Sequence, residues 1–462
     1  MREELLQTLR LAVPLVLAEL GWMAMGVVDT MFVGRVSAEA IGAVGLGTMV
    51  FYGIAICAAG VLLGLDTLVA QAFGAGDRQD YHRSLVAGVW MAVVMIPAVM
   101  GLVWLLESFL PQLGVNSDVV LATRPYLHAL IWSTPPLLIY FALRRYLQAL
   151  HIVRPVMITL VTANLVNLAG NWLLVLGHLG APRLGAEGSG WATCLSRIYM
   201  AGGLIFVLWR RDPEIFRIAW RPDTKRMWAL VKLGAPAAAQ MAVEIGVFAT
   251  VTVLVSRLNA TALAGHQIAL TTVSTTFMMP LGISSAAAVR VGFELGRGDK
   301  HAAARAGWTA LALGAAMMSA AAIVLLVIPE AIARVFTPDV AVIAAAATIL
   351  RVAAFFQLFD GLQIVVTGSL RGAGDTRTPM VCHLVGYWVI GLPLGAMLCF
   401  GRGLGAPGLW MGLSAGLIAI GIVLAAFWWR TAVEWSRQVR ISESARYGLE
   451  DDSGLKAPRD KI

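Results

Sequence analysis

Charge is what this chain of 462 residues has least of. Only 13% of it is Asp, Glu, Lys or Arg, while 59% is hydrophobic. Soluble domains carry about 25% charged and about 45–50% apolar residues, so a soluble enzyme is excluded. The net charge of +8 would suggest a nucleic-acid partner in a soluble protein. Here it points to basic loops on one side of a bilayer, and no nucleic-acid partner is expected. Cysteine is scarce too. Cys57, Cys194, Cys382 and Cys399 are widely spaced in apolar runs, with no C-x-x-C pair and no His at ligand spacing. That argues against a disulfide framework and a metal centre, and leaves them as small core hydrophobes. Neither H-E-x-x-H nor G-x-S-x-G occurs, and the seven His have no local pairing, so the common hydrolase motifs are missing.

Long apolar runs are what the chain has instead. A membrane helix needs about 20 mainly apolar residues, and twelve stretches qualify: 8–33, 44–72, 84–106, 126–147, 156–176, 190–209, 228–255, 264–292, 306–328, 348–368, 380–400 and 408–429. The first holds Glu19 and Asp29 and reads as a retained helix, not a cleaved signal peptide. After Arg430 the composition turns polar, which predicts a solvated, disordered tail. With the amino terminus cytoplasmic, 27 Lys and Arg fall on the cytoplasmic side and 7 on the other. This asymmetry predicts a multi-pass membrane protein with both termini in the cytoplasm.

The chain also repeats itself. RLAVP (10–14) aligns with KLGAP (232–236), and GAGD (74–77) with GRGD (296–299), both at an offset of 222. LQALHIVRPVM (147–157) matches LRGAGDTRTPM (370–380) at 223. Six helices per repeat is an even number, so both halves enter the membrane in the same direction. The expected fold is an all-α polytopic membrane protein, twelve helices in two six-helix lobes related by a pseudo-two-fold axis. Residues 1–209 form the amino-terminal lobe, 210–227 a cytoplasmic linker, 228–430 the carboxyl-terminal lobe and 431–462 a cytoplasmic tail. Two facing lobes that rock about a cleft describe a transporter more naturally than a channel or a membrane enzyme.

An ionisable residue near the bilayer centre costs at least about 2.5–3.5 kcal/mol on insertion scales. Asp29, Glu244 and Asp360 lie well inside spans, and their repeat-equivalent positions carry no carboxylate. The scaffold is duplicated but the acids are not, so they serve something besides building a lobe. Against this, Asp29 could be solvated near an interface, and Glu244 and Asp360 could be hydrogen-bonded structural groups. Glu19 and Asp66 fit a structural role equally well. Asn167 and Asn171 share one helix face, with Asn164 extending it. Amide carbonyls plus one carboxylate suit a hard monovalent cation, or a protonated carboxylate, or helix–helix glue. His266 reads as a packed residue or as an accessory proton carrier. The stretches GVLLG (60–64), GLPLG (391–395) and GLWMGLSAG (408–416) read as close-packing surfaces.

VDTMFVGRV (28–36), VAQAFGAGD (69–77), LAGNWLLVLG (168–177), GHQIAL (265–270), FMMPLGISSAAAVRVG (277–292) and LRGAGDTRTPM (370–380) occur in one order. Together they resemble the multidrug and toxic compound extrusion (MATE) family of cation-coupled antiporters. Glu244, GHQIAL and Asp360 resemble its NorM-like branch. The resemblance implies a monomeric antiporter without a cofactor, exporting amphipathic, often cationic organic compounds across the lipid bilayer in exchange for Na+ or H+. It implies that Asp29, Asn167, Asn171 and Thr193 bind the cation or proton in the first lobe, and Glu244 and Asp360 in the second. No metal other than a transported Na+ is implied. Glu187 departs from the small residues usual at its position. A lipid-linked oligosaccharide flippase of the same superfamily would usually need a cationic cavity, and the spans hold acids and few Arg instead.

Overall fold

The structure is a computed structural model and describes residues 2–113 and 117–447. Its first half contains α1 (Arg2–Val33), α2 (Ala38–Leu62), α3 (Gly64–Gly74), α4 (Arg78–Phe109), α5 (Ser117–Ile131), α6 (Thr134–Ala149), α7 (Val153–Leu174) and α8 (Ala186–Arg211). The second contains α9 (Thr224–Ser256), α10 (Ala260–Gly296), α11 (Lys300–Val327), α12 (Pro329–Arg334), α13 (Val340–Gly372), α14 (Arg377–Leu384), α15 (Leu392–Ala396) and α16 (Ala406–Tyr447). There is no strand among the described residues. Among the described residues, eleven helices are long and apolar enough to cross a membrane, or twelve if the bent pair α5–α6 is one span.

Three spans depart from the simple rods expected. The fourth breaks at Trp132–Ser133 and bends by 48°. Pro135 and Pro136 open α6, and proline tolerates only the first turn because it lacks an N–H. The second span breaks at Leu63, between Gly60 and Gly64. The eleventh carries π-helical turns at Val385–Gly391 and Met397–Gly401 on either side of Pro393.

The tail also corrects an expectation. α16 runs on to Tyr447 rather than ending near Arg430. Trp428 and Ala432 are buried, and Trp435 packs on the same core with its ring 5.7 Å from Trp428. An i, i+4, i+7 stripe holds the helix together despite its polar composition. The segment 448–462, expected to be disordered, lies outside the described residues.

The lobes meet at the end of the molecule where α1 begins. A Cβ on Gly74 would overlap the Phe293 carbonyl oxygen, and one on Gly296 would overlap that of Gln71. A Cβ on Gly60 would lie 2.5 Å from Ala238 Cα, and one on Gly282 would lie 2.7 Å from Val16 Cα. Each pair becomes the other when 222 is added to the first-lobe residue and subtracted from the second. Such reciprocal contacts are the signature of a two-fold axis. They also explain the GxGD motifs. Gly76 and Gly298 adopt φ of 74° and 79°, and Asp77 and Asp299 cap the following helices by accepting from Asp80 and Ala302 N–H. GVLLG likewise presents Gly60 and Gly64 to α9, and GLPLG lies against α16 through Gly391 and Gly395.

Candidate functional site

Asp29 is 6% exposed near the far end of α1. Its Oδ1 accepts from Asn167 Nδ2 at 3.0 Å and from Asn171 Nδ2 at 2.7 Å, both on α7. Its Oδ2 accepts from Thr193 Oγ1 of α8 at 2.9 Å. Asn171 Nδ2 also reaches Asn167 Oδ1 at 3.2 Å, so the four side chains form one cluster. The four-residue spacing of the two Asn stacks them on one face of α7. Gly170, between them in sequence, lets α8 approach at Ala192, beside Thr193. No Lys, Arg or His pairs with Asp29 among the described residues; Arg197 instead donates to Ser133 and to Tyr52 Oη at 2.7 Å. Asn171 Oδ1 is buried and without a partner. The cluster thus offers a carboxylate and a free amide oxygen in a buried place, a donor set that a hard cation or a proton can use.

The second lobe is built differently. Asp360 of α13 is 4% exposed, and its Oδ1 accepts from Gln363 Nε2 at 3.3 Å, one turn along. Gln363 Oε1 lies 2.6 Å from His383 Nε2 of α14, which is also 3.4 Å from Gln240 Nε2 of α9. His383 Nδ1 is 2.7 Å from the Pro379 carbonyl oxygen. Glu244 of α9 is half-buried and makes no hydrogen bond among the described residues. Sequence reasoning missed Gln240, Gln363 and His383. The i+3 spacing of Gln363 from Asp360 was the available signal for one of them; nothing local marks the other two.

The remaining charges separate cleanly from these groups. Glu19 pairs with Arg144, both buried. Asp66, 1% exposed, has Oδ2 3.5 Å from Arg145 and 3.5 Å from Arg371 of the other lobe. Thr67 Oγ1 donates to the Arg371 carbonyl at 2.5 Å, and Gln71 Nε2 to that of Gly372 at 3.1 Å. These groups hold the lobes together at the amino-terminal end. His266 is fully buried, with Trp410 Nε1 donating to Nδ1 at 3.0 Å and Thr252 Oγ1 2.9 Å from Nε2. Accepting at Nδ1 fixes the neutral tautomer with the proton on Nε2. It touches neither carboxylate cluster. Glu187 accepts from Trp191 Nε1 at 3.2 Å, one turn along α8.

The MatE family profile matches residues 14–173 and again 236–397, two segments whose starts differ by the repeat offset. The chain is 39% identical over 431 residues to the multidrug resistance protein NorM of Burkholderia vietnamiensis, covering 92% of each chain. It is 36% identical over 451 residues to the multidrug resistance protein PmpM of Pseudomonas aeruginosa, covering 95% of this chain and 94% of that one. Its fold is similar to that of the eukaryotic MATE transporter AtDTX14, with a TM-score of 0.84, 19% identity, and 95% and 99% of the two chains covered.

Proposed function

This chain belongs to the MATE family of membrane transporters, and we propose that it is a multidrug efflux antiporter of the inner membrane. It exports amphipathic, often cationic organic compounds in exchange for Na+ or H+, as a monomer with both termini in the cytoplasm. The observation that carries this reading is the buried Asp29, held by three neutral donors and no cation.

Residues 1–209 and 228–430 act as rocking units joined by 210–227, with 431–462 as a cytoplasmic tail. With the lobes shut at the amino-terminal end, the cleft opens outward. Drug leaves, and the incoming cation or proton settles on Asp29 with Asn167, Asn171 and Thr193, or on Glu244 and Asp360. Neutralising a carboxylate removes the desolvation penalty that keeps it near water. That is the differential binding a state change requires. Drug entering from the cytoplasm then displaces the cation. In this reading His266, with both ring nitrogens engaged, is a packing residue.

The test is dye efflux from proteoliposomes under a sodium gradient alone and a proton gradient alone. Efflux driven by one gradient and abolished in Asp29→Asn supports the reading and names the ion. Undiminished efflux in Asp29→Asn, Glu244→Gln and Asp360→Asn together would overturn it.

A further inference from the structure

A cavity of about 610 Å³ opens at the amino-terminal end of the molecule, away from both carboxylate clusters. Its charged walls are Arg10 of α1, Arg154 of α7, Arg211 of α8, and Arg290 and Arg297 of α10. Glu294 is the one acid among its lining residues. It and Glu4 engage Arg290, at 3.7 and 2.5 Å, and Glu294 also engages Arg297 at 3.1 Å. Arg10, Arg154 and Arg211 make no ion pair among the described residues. Five guanidinium groups against two carboxylates leave the cavity cationic.

Two buried nitrogens are also left over. Arg290 is 6% exposed, yet its Nε has no partner, and neither has Nε2 of His151 on the cavity wall. His151 adopts φ of 62°, in the left-handed region that glycine enters freely and that costs a residue with a Cβ energy. At the repeat-equivalent position the second lobe has Gly374, with φ of 91°. A strained histidine where the twin lobe uses glycine is a residue kept for its side chain. Its ring is wedged against Phe73 and Phe293, 5.6 and 4.9 Å between centroids. Burial, with Arg290 nearby, lowers its pKa to about 4.

We propose that this cavity binds a phosphate-bearing anion across the two lobes. Guanidinium groups suit phosphate because their paired N–H donors match its oxygens. The volume is that of a small-molecule site rather than a single-ion site. Basic pockets between helix ends are where acidic lipid headgroups bind. Since α1, α7 and α8 belong to one lobe and α10 to the other, an anion here stabilises the arrangement closed at this end. The inference stands on this cavity and does not depend on the identity of the coupled cation.

The purified full-length chain is titrated in neutral detergent with phosphatidylglycerol, phosphatidylcholine and inorganic phosphate, reading melting temperature and bound lipid by native mass spectrometry. Phosphatidylglycerol is expected to bind and raise the melting temperature, while phosphatidylcholine does neither. Arg10→Gln/Arg154→Gln should weaken phosphatidylglycerol at least tenfold, and Arg154→Lys much less. Arg124→Gln, at the opposite end of the molecule, should leave it unchanged and so reports on folding and non-specific charge. Inorganic phosphate that binds and competes with the lipid also supports the site, and identifies a free anion as its ligand. Equal binding of both lipids without phosphate binding, or wild-type affinity in the double variant, overturns the proposal.

Discussion

The two lobes share a scaffold and treat their carboxylates in opposite ways. Asp29 of the first receives three donors, two on Oδ1 and one on Oδ2, all from neutral side chains on α7 and α8. Asp360 of the second receives one long bond from its own helix, and Glu244 receives none among the described residues. Neutral donors orient Asp29 and leave it without a counter-ion, whereas Asp360 and Glu244 stand almost without donors. Both arrangements leave a buried carboxylate that an arriving cation or proton can satisfy. Duplication explains the helices and the lobe interface. Only the side chains added since can explain this difference, so the comparison is where the proposed coupling is best tested.

The largest expected effect comes from making the two lobes' acids neutral separately. Asp29→Asn should lower gradient-driven dye efflux at least a hundredfold, about 2.7 kcal/mol, with an unchanged gel-filtration profile. If the lobes divide the work, Glu244→Gln/Asp360→Asn will leave Asp29-dependent cation binding intact while still reducing efflux. Equal losses of cation binding from both changes would erase the distinction between the lobes.

The next prediction uses their symmetry. Gly74 and Gly296 make equivalent contacts across the two-fold axis, so Gly74→Leu and Gly296→Leu should open the amino-terminal end equally. Overpacking of this kind costs about 1–3 kcal/mol, a roughly 5- to 150-fold shift in population. The alkylation rate of a cysteine placed at Ser285, 3% exposed in the closed arrangement, reports it. A large difference between the two variants would mean that the contacts are not equivalent.

Asn171→Ala is expected to act more locally. It removes the shorter donor to Asp29 Oδ1 and leaves part of a buried carboxylate unsatisfied, at about 1–3 kcal/mol. Thermal unfolding with and without Na+ separates two roles. A drop of the same size in both conditions marks packing alone; loss of the Na+-dependent gain marks a ligand.

These contrasts show why part of the molecule was legible in sequence. Asp29, Asn167 and Asn171 stood out because polar residues in an apolar helix have few reasons to exist, and a four-residue spacing fixes a shared face; Thr193 came only with the family resemblance. The repeat aligned GAGD with GRGD, but the contacts Gly74–Phe293 and Gly296–Gln71 that these motifs make across the lobes were visible only in the fold. The break before α6 was written in Pro135-Pro136, but the apolar residues on both sides of it read as one continuous span. His383 and Gln240 were not legible, because what pairs them with Gln363 is the rotation of three helices about their axes. The tail misled because its polar composition hides the Trp428–Ala432–Trp435 stripe.

The smallest expected effect belongs to the turn where the lobes carry His151 and Gly374. His151→Gly relieves a left-handed backbone worth about 1 kcal/mol but gives up the ring packing against Phe73 and Phe293, so its net effect on the melting temperature at neutral pH should be a few degrees at most. The pH dependence gives the sharper reading. His151 titrates near 4 when folded and near 6.5 when unfolded, so between these values the unfolded chain binds more protons. Its contribution to stability is therefore intact above pH 6.5 and is progressively lost as pH falls towards 4, by up to ~3 kcal/mol. Relative to wild type, His151→Gly should consequently gain stability as pH drops from 7 to 4.5. A pH-independent difference would leave strain and packing to distinguish this turn from its twin, and would place the histidine's neutral state outside the stability of the fold.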